Sequence, residues 1–594
     1  MKIFAARYLC LFLSVSFASS LQGNSDNANR KSRRHLLESG TECVTYMRIT
    51  DFAEGPDEEA WTCEFSSDDA KQFGGARMIE IEGLSMDTMK KRHAVSGGTV
   101  LRLGASSYVE TQIVKDLSFK NVNIRGSESD RVTEAPVLHI TDDDFVIEEM
   151  DEATDPRHSK YRRRMREERR QLAQSTGELK TLVIRVVDKD GVAPSTTEQL
   201  DDDIFKDNVS LKTQFGKCSH DNVNVVPADQ DGFSTRVAGT EYNGIIDVQI
   251  PTKASQTDSY DMVNTVVNLV EDDILDNLEY LSNLADLVMI CQPSGTYKGS
   301  SSNTGWLAYA WIDYHISVYN DYWCNSVSAQ MHEVGHNLGL LHSGVRGVRE
   351  YADTSGMMGY SYNYDDIPSM CFNSAKNYQL GWYPDQMLSI DPLALPGGSQ
   401  QFTLNGVVDY GDSDGYVTIR LEYQGDQEDG IDYYIGFNRQ TGFNHQTQTG
   451  GNTVQIVEKE NSYARSDRNG PGQSWLMQSL NAGEEFEWDI GGTTVNLKVE
   501  SISGKDAIVT LTGGAQRECE IREWPNQKLT IKHNGKKFKC KKLWKQTVWQ
   551  QTKRCNEWTV INKKGVELLL KDKCPVTCGR NAGVGKCAFL KDQQ

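Results

Sequence analysis

Apolar and polar positions alternate over residues 77–81 (RMIEI) and 137–140 (VLHI), the period of a half-buried strand. After a long polar interval, residues 181–187 (TLVIRVV) form a β-branched run suited to a buried strand. The pattern then predicts a helix over 197–215, a strand over 245–250 and a helix over 263–284 with its acidic residues on the polar side. A short buried strand is predicted over 287–291. Residues 306–312 (WLAYAWI) read as an edge strand along a cleft, to which an extended peptide adds by backbone hydrogen bonds. From 400 to 514, short strands at 416–421, 433–437, 453–457 and 495–499 are separated by Gly and Asp turns, the spacing of a β-sandwich.

At 594 residues the chain is too long for one core. Residues 1–20 have the parts of a secretory signal: Lys2 and Arg7 supply charge, residues 8–17 are apolar, and Ala18, Ser19 and Ser20 suit cleavage. No later stretch approaches 18 consecutive apolar residues, so no membrane span is expected. Residues 21–170 read as a propeptide. It turns polar and closes in the basic run Arg157, Lys160, Arg162, Arg163, Arg164, Arg166, Arg169 and Arg170, which has little to bury. Maturation is expected near Arg170, with an uncleaved charged linker as the alternative; residues 30–34 (RKSRR) are a lesser cleavage candidate. The remaining divisions are 171–397 (catalytic), 398–515 (β-sandwich) and 516–594 (cysteine-rich).

Cys10 lies in the leader, and twelve cysteines follow in even blocks. These are Cys43 and Cys63; Cys218, Cys291, Cys324 and Cys371; and Cys519, Cys540, Cys555, Cys574, Cys578 and Cys587. Even blocks are expected if each segment closes its own disulfides in an oxidising compartment, with the pairing open. Asn208-Val209-Ser210 is a glycosylation sequon. The net charge of −20 is uneven: residues 516–594 hold 19 Lys+Arg against 7 Asp+Glu, a net of +12, leaving −32 on the rest. Such a basic module could dock on an anionic matrix polymer or simply be solvated, and no nucleic-acid partner is expected of the acidic body. Asp229–Gly232 and Asp412–Gly415 hint at Ca2+ loops but lack the downstream acid of an EF-hand, so polar turns are the simpler reading.

Chemistry concentrates in residues 331–342 (MHEVGHNLGLLH). His332 and His336 are four apart, which on a helix brings them round by about 40° and up by about 6 Å, onto one face. Glu333 lies beside them, where a carboxylate reaches an activated water. Gly339 can adopt a backbone conformation closed to other residues and turn the chain, returning His342 as a third ligand. Three nitrogens leave the fourth position of a tetrahedral zinc open, as a catalytic rather than a structural site requires.

The motif resembles that of the metzincin zinc peptidases. Residues 353–360 (DTSGMMGY) look like the family's Met-turn, in which a methionine forms an apolar floor under the metal. Met358 suits that role better than Met357. The resemblance implies that Tyr360 is either a switchable zinc ligand stabilising the oxyanion or an ordinary packed tyrosine. Residues 371–383 (CFNSAKNYQLGWY) are similar to the segment after the Met-turn in the gametolysin family, secreted algal metallopeptidases whose named member degrades cell-wall glycoproteins. That likeness covers about residues 180–515. Gametolysin carries Gln at the first ligand position, whereas this chain has His332. The Pro-Arg-Cys-Gly segment with which matrixin-like relatives cap zinc is absent, so latency would rest on an aspartate or steric cover as readily as on a cysteine. Residues 574–579 (CPVTCG) resemble the end of ShK-toxin-like modules, whose cysteines would be structural.

The expected protein is thus multidomain: an α/β (α+β) metzincin-like domain, a β-sandwich and a small disulfide-rich module. One catalytic Zn2+ would be held by His332, His336 and His342, with Glu333 as general base, and the protein would be secreted to act on cell-wall or matrix glycoproteins. A non-catalytic adhesion protein on a peptidase fold is the main alternative, and a zinc hydrolase of non-peptide bonds a third.

Overall fold

Strands buried on both faces need no alternation. The strands Leu287–Gln292, Trp306–Trp311 and Ile316–Asn320 are accordingly buried at every position. They belong to a fourteen-stranded sheet in a computed structural model that describes residues 30–53, 57–92, 94–114, 132–140, 145–149, 176–228, 244–274, 280–298, 304–422, 431–460 and 472–514, with short pieces beyond 528. The leader, Arg170 and the Asp229–Gly232 loop lie outside the described residues.

In the later half of the sheet, Gly177–Val187 pairs in parallel with Val223–Pro227, Ile245–Gln249 and Leu287–Gln292, and Leu287–Gln292 pairs in parallel with Ile316–Asn320. Trp306–Trp311 is antiparallel to Ile316–Asn320. Among the strands of this sheet after residue 176 it ends one side, as the pattern predicts, and Val223–Pro227 ends the other. In the intact chain, however, Trp306–Trp311 is not an edge. Glu42–Phe52 pairs with it antiparallel, joining an N-terminal group of strands to the same sheet. Each face of the later half is covered by its own core. One contains Val183, Met289, Phe215, Val334, Met358 and Trp382. The other contains Leu182, Ile290 and Trp311 and also takes in Val44, Tyr46, Met78 and Val100 from the N-terminal strands.

The helices are shorter than their patterns suggest. The stretch from 197 forms a helix Thr197–Asp201 and a π-type turn Asp202–Lys206. It restarts as Leu211–Ser219, because Ser210 and Thr213 cap each other's backbone in a capping box. The other helix runs Ser259–Asn268, capped by the Asp258 side chain on the Tyr260 amide. A π-type turn Leu269–Ile274 follows, and Leu281–Asn283 is a single 3₁₀ turn. Glu271, expected on the solvent side, is buried; it pairs with Arg77 of the N-terminal strands at 2.8 Å and accepts the Leu281 amide at 2.7 Å.

Beyond residue 380 two further sheets pack over one core that takes Ile419, Leu421, Ile435 and Val454 from one and Phe402, Leu497, Val509 and Leu511 from the other. The six-stranded sheet also includes Ser343–Gly344 and Met387–Ile390, so it reaches back into the region of the histidine segment. Disulfides join Cys43 to Cys63, Cys218 to Cys371 and Cys291 to Cys324, each within its own block. Cys555 and Cys574 are disulfide-bonded, and Cys519, Cys540, Cys578 and Cys587 lie outside the described residues. Asn208 is exposed. No helix among the described residues is long and apolar enough to cross a membrane.

Candidate metal centre

Val327–Asn337 forms the helix that carries the site, and every residue of it is buried. A helix so placed must be tied down at its ends. Asn337 donates to the carbonyls of Trp311 and Ile316 at 3.3 and 2.9 Å, fixing the last turn to the sheet. Gly339 then takes φ of 85°, a left-handed conformation that costs other residues, and its carbonyl accepts from Gln379 at 2.8 Å. The chain reverses, and the carbonyl of His342 accepts the Ser474 amide at 3.1 Å from the neighbouring sheet. His336 Nε2 and His342 Nε2 end 3.1 Å apart. Met358, 1% exposed, packs against this helix: a Cβ at position 335 would sit 2.6 Å from its sulfur, which explains the glycine between the two helical histidines.

Hydrogen bonds define the tautomers of His332 and His336. His332 Nδ1 lies 2.7 Å from the Met357 carbonyl and His336 Nδ1 lies 2.8 Å from the Leu340 carbonyl. A carbonyl can only accept, so both Nδ1 atoms carry the proton and both Nε2 atoms are bare. Burial holds the His332 imidazole at about 4 and drives His336 and His342 well below the usual range, leaving all three neutral. Buried His332 Nε2 and His342 Nδ1 have no hydrogen bond, and the bare His336 Nε2 faces His342 Nε2 at 3.1 Å. A cation between them supplies what is missing. The residues therefore fit a metal ion.

The fourth member of the group comes from elsewhere. Asp51, on the strand Glu42–Phe52, places Oδ2 3.5 Å from His332 Nε2 and Oδ1 3.8 Å from His342 Nε2. One ligand atom from each of Asp51, His332, His336 and His342 falls within 4.8 Å of every other. Glu333 is fully buried beside them, its carboxyl pushed well up by burial and then by the Asp51 charge. Asp51 is likewise pushed up, by burial and then by Asp57. The Tyr362 hydroxyl lies between Glu333 Oε1, at 2.9 Å, and Asp51 Oδ2, and the Tyr351 hydroxyl donates to Asp51 Oδ1. The Tyr362 ring is 5.1 Å from that of His332 and the Tyr351 ring 3.7 Å from that of His342.

Tyr360 occupies a different position. It is half-buried, with its ring 5.5 Å from Tyr362 and the Arg349 guanidinium 5.3 Å above it. The hydroxyl beside Glu333 thus belongs to the second tyrosine of Tyr360-Ser361-Tyr362. The two rings lie 5.5 Å apart, and the Met-x-Tyr spacing selects only the first. Asp51 offers no comparable signal, since an aspartate in an alternating stretch reads as a solvent-facing position. Among the described residues one other grouping of acids exists, Asp202, Asp203 and Asp207, near the surface. Asp412–Gly415 forms a turn in which Ser413 donates to the Asp409 carbonyl at 3.0 Å.

Residues 180–437 match the family model described as gametolysin peptidase M11, which makes this part of the chain similar to a peptidase family. A stretch of 68 residues is 37% identical to a protein named autolysin from Chlamydomonas reinhardtii. That stretch is 11% of this chain and 10% of the autolysin, so the chain spans about a tenth of the length of this relative.

Proposed function

We propose that the protein is a secreted zinc-dependent endopeptidase of the metzincin type. The observation that carries this reading is the convergence of three buried histidines, two of them with Nδ1 on a backbone carbonyl and Nε2 bare, with the buried Glu333 carboxyl alongside. Three nitrogens with one further position suit zinc better than the harder divalent ions, which prefer oxygen ligands. His332, His336 and His342 hold the ion. When bound, zinc polarises the scissile carbonyl and makes water nucleophilic near neutral pH. Glu333 accepts the proton of the attacking water and returns it to the leaving amine. Burial of Glu333 raises its basicity towards the value that such a shuttle needs. Tyr362, whose hydroxyl already touches Glu333, donates to the oxyanion; this is the role expected of Tyr360 from the motif. Met358 supports the ligands from below. An extended substrate adds its backbone to Trp306–Trp311, whose outer side is the one that pairs with another strand in the intact chain.

The leader at 1–20, a removable propeptide ending near Arg170, and the divisions at 397 and 515 belong to the same reading, supported by the even cysteine blocks and their disulfides. Cell-wall or matrix glycoproteins are the proposed substrates, a choice supported by the gametolysin resemblance. The test is Glu333→Ala in the processed enzyme. It should retain one zinc per chain by elemental analysis and lose about 10²- to 10⁴-fold in casein cleavage, which chelation of the wild type should also abolish. Full activity in Glu333→Ala would remove the mechanism.

A further inference from the structure

We propose that in the intact chain Asp51 is the fourth metal ligand, and that the strand carrying it closes the site as an internal pseudosubstrate. This inference rests on the metallopeptidase reading and adds its regulation.

Three independent features converge. The first is the donor set. Asp51 is 1% exposed and faces His332 and His342 through different oxygens. The charges whose fields reach it are those of the acids Asp57 and Glu350, and its hydrogen-bond partners are the Glu333 carboxyl and the hydroxyls of Tyr351 and Tyr362. A carboxylate buried among carboxylates is costly unless a cation offsets it. A divalent ion among the three imidazoles lies where that compensation is needed.

The second feature is the strand. Arg48, Ile49, Thr50, Asp51 and Phe52 pair with Trp311, Ala310, Tyr309, Ala308 and Trp306, taking the backbone hydrogen bonds that an extended peptide would use. An irregularity in register lies between Trp306 and Ala308, beside the position of Asp51, and such bulges re-aim side chains. A bound substrate and this strand exclude each other. Where a substrate would present a scissile carbonyl, the strand presents a side-chain carboxylate with no bond to cleave at that point.

The third feature is the anchoring on either side. Arg48 is buried with its guanidinium 5.2 Å from the Tyr260 ring and 5.9 Å from the Tyr309 ring, and it pairs with Glu80 at 2.9 Å. Trp311 donates to Thr62 at 3.1 Å, and Tyr314 to Glu64 at 2.9 Å. The Cys43–Cys63 disulfide ties the covering strand to its neighbour. The N-terminal unit is therefore docked through specific contacts, and its connection to the later half runs through residues 150–175. Cleavage there leaves the unit held only non-covalently, so it can dissociate, and Asp51 leaves with it.

The test uses the full-length chain loaded with one equivalent of cobalt(II) in place of zinc, comparing wild type with Asp51→Ala, Asp51→Asn and His336→Ala. Asn keeps the shape and one acceptor oxygen for the tyrosines, so Asp51→Asn decides the matter if the alanine variant does not fold. Both Asp51 variants should shift the visible absorption of the bound cobalt and should lose it to 1,10-phenanthroline at least about tenfold faster than wild type. An Asp51→Asn chain with wild-type melting, spectrum and chelation rate would overturn the Asp51 assignment while leaving the peptidase reading intact. Cobalt binding unaffected by His336→Ala would remove the metal centre and both readings together.

Discussion

The two contributions to the candidate metal centre are encoded in opposite ways. The histidines sit within one short segment, held by the helix Val327–Asn337 and the turn at Gly339. Asp51 reaches them from a strand so distant that its hydrogen bond with Tyr351 spans 300 positions of sequence. The first arrangement survives as long as one helix and one turn survive. The second depends on the docking of a whole unit and can be lost without disturbing the histidines. A centre built this way can exist in two states that share their chemistry and differ in access.

That contrast predicts separable failures. Glu333→Ala belongs to the local part and should produce the largest effect, the activity loss already given. Arg48→Ala belongs to the remote part. It removes a buried cation from between Tyr260, Tyr309 and the Glu80 carboxylate, and breaking buried charge pairs costs about 3 to 5 kcal/mol. Glu80 retains partial contact with water, so about 3 kcal/mol is the expected loss. After cleavage between the units, a pull-down or sedimentation experiment should show the N-terminal part dissociating more readily, while the processed enzyme has wild-type turnover. Equal retention of wild type and variant would show that Arg48 does not hold the unit.

Gly359→Ala tests the local part by packing. A Cβ there would approach the Asp353 carbonyl oxygen to 1.9 Å, and backbone cannot retreat as a side-chain tip can. Overpacking of this kind costs about 1 to 3 kcal/mol. On the proposed function the cleaved chain should melt earlier and bind zinc more weakly, because Met357, two residues before Gly359, supplies the carbonyl that orients His332. An unchanged melting temperature would mean that the Met358 loop is not as rigid as its contacts imply.

The same contrast explains what could be read from sequence. His332, Glu333, His336, Gly339 and His342 were legible because helix geometry converts spacing into position, and the structure brings these histidines together. Trp306–Trp311 was legible as the outer strand of its own unit, but its pairing with Glu42–Phe52 was not, since strand pairing across such separation leaves no local periodicity. The stretch 263–284 misled for a related reason. Its acidic residues suggested a solvent-facing side, whereas Glu271 is buried against Arg77 of the other unit. The motif spacing points to Tyr360, and only the fold shows that the hydroxyl meeting Glu333 is that of Tyr362.

The smallest predicted effect lies where the two parts meet through like charges. Glu350, from the later half, is pushed up to about 7 by burial, and then by Glu59 and Asp57 of the N-terminal unit. An acid whose pKa is raised by folding binds its proton more tightly in the folded chain than in the unfolded one. Its unfavourable contribution is therefore absent below the ordinary value of 4.5, grows as pH rises towards 7, and is constant above that. Glu350→Gln removes this contribution. Because the group is partly exposed, the gain is screened to about 1 kcal/mol. The variant's intact chain should melt above wild type at pH 8 and match it at pH 4.5. Separating the units by cleavage and removing the N-terminal part should shrink the difference, since Glu59 and Asp57 depart with it. A stabilisation of equal size at both pH values would assign the effect to packing and remove the charge argument.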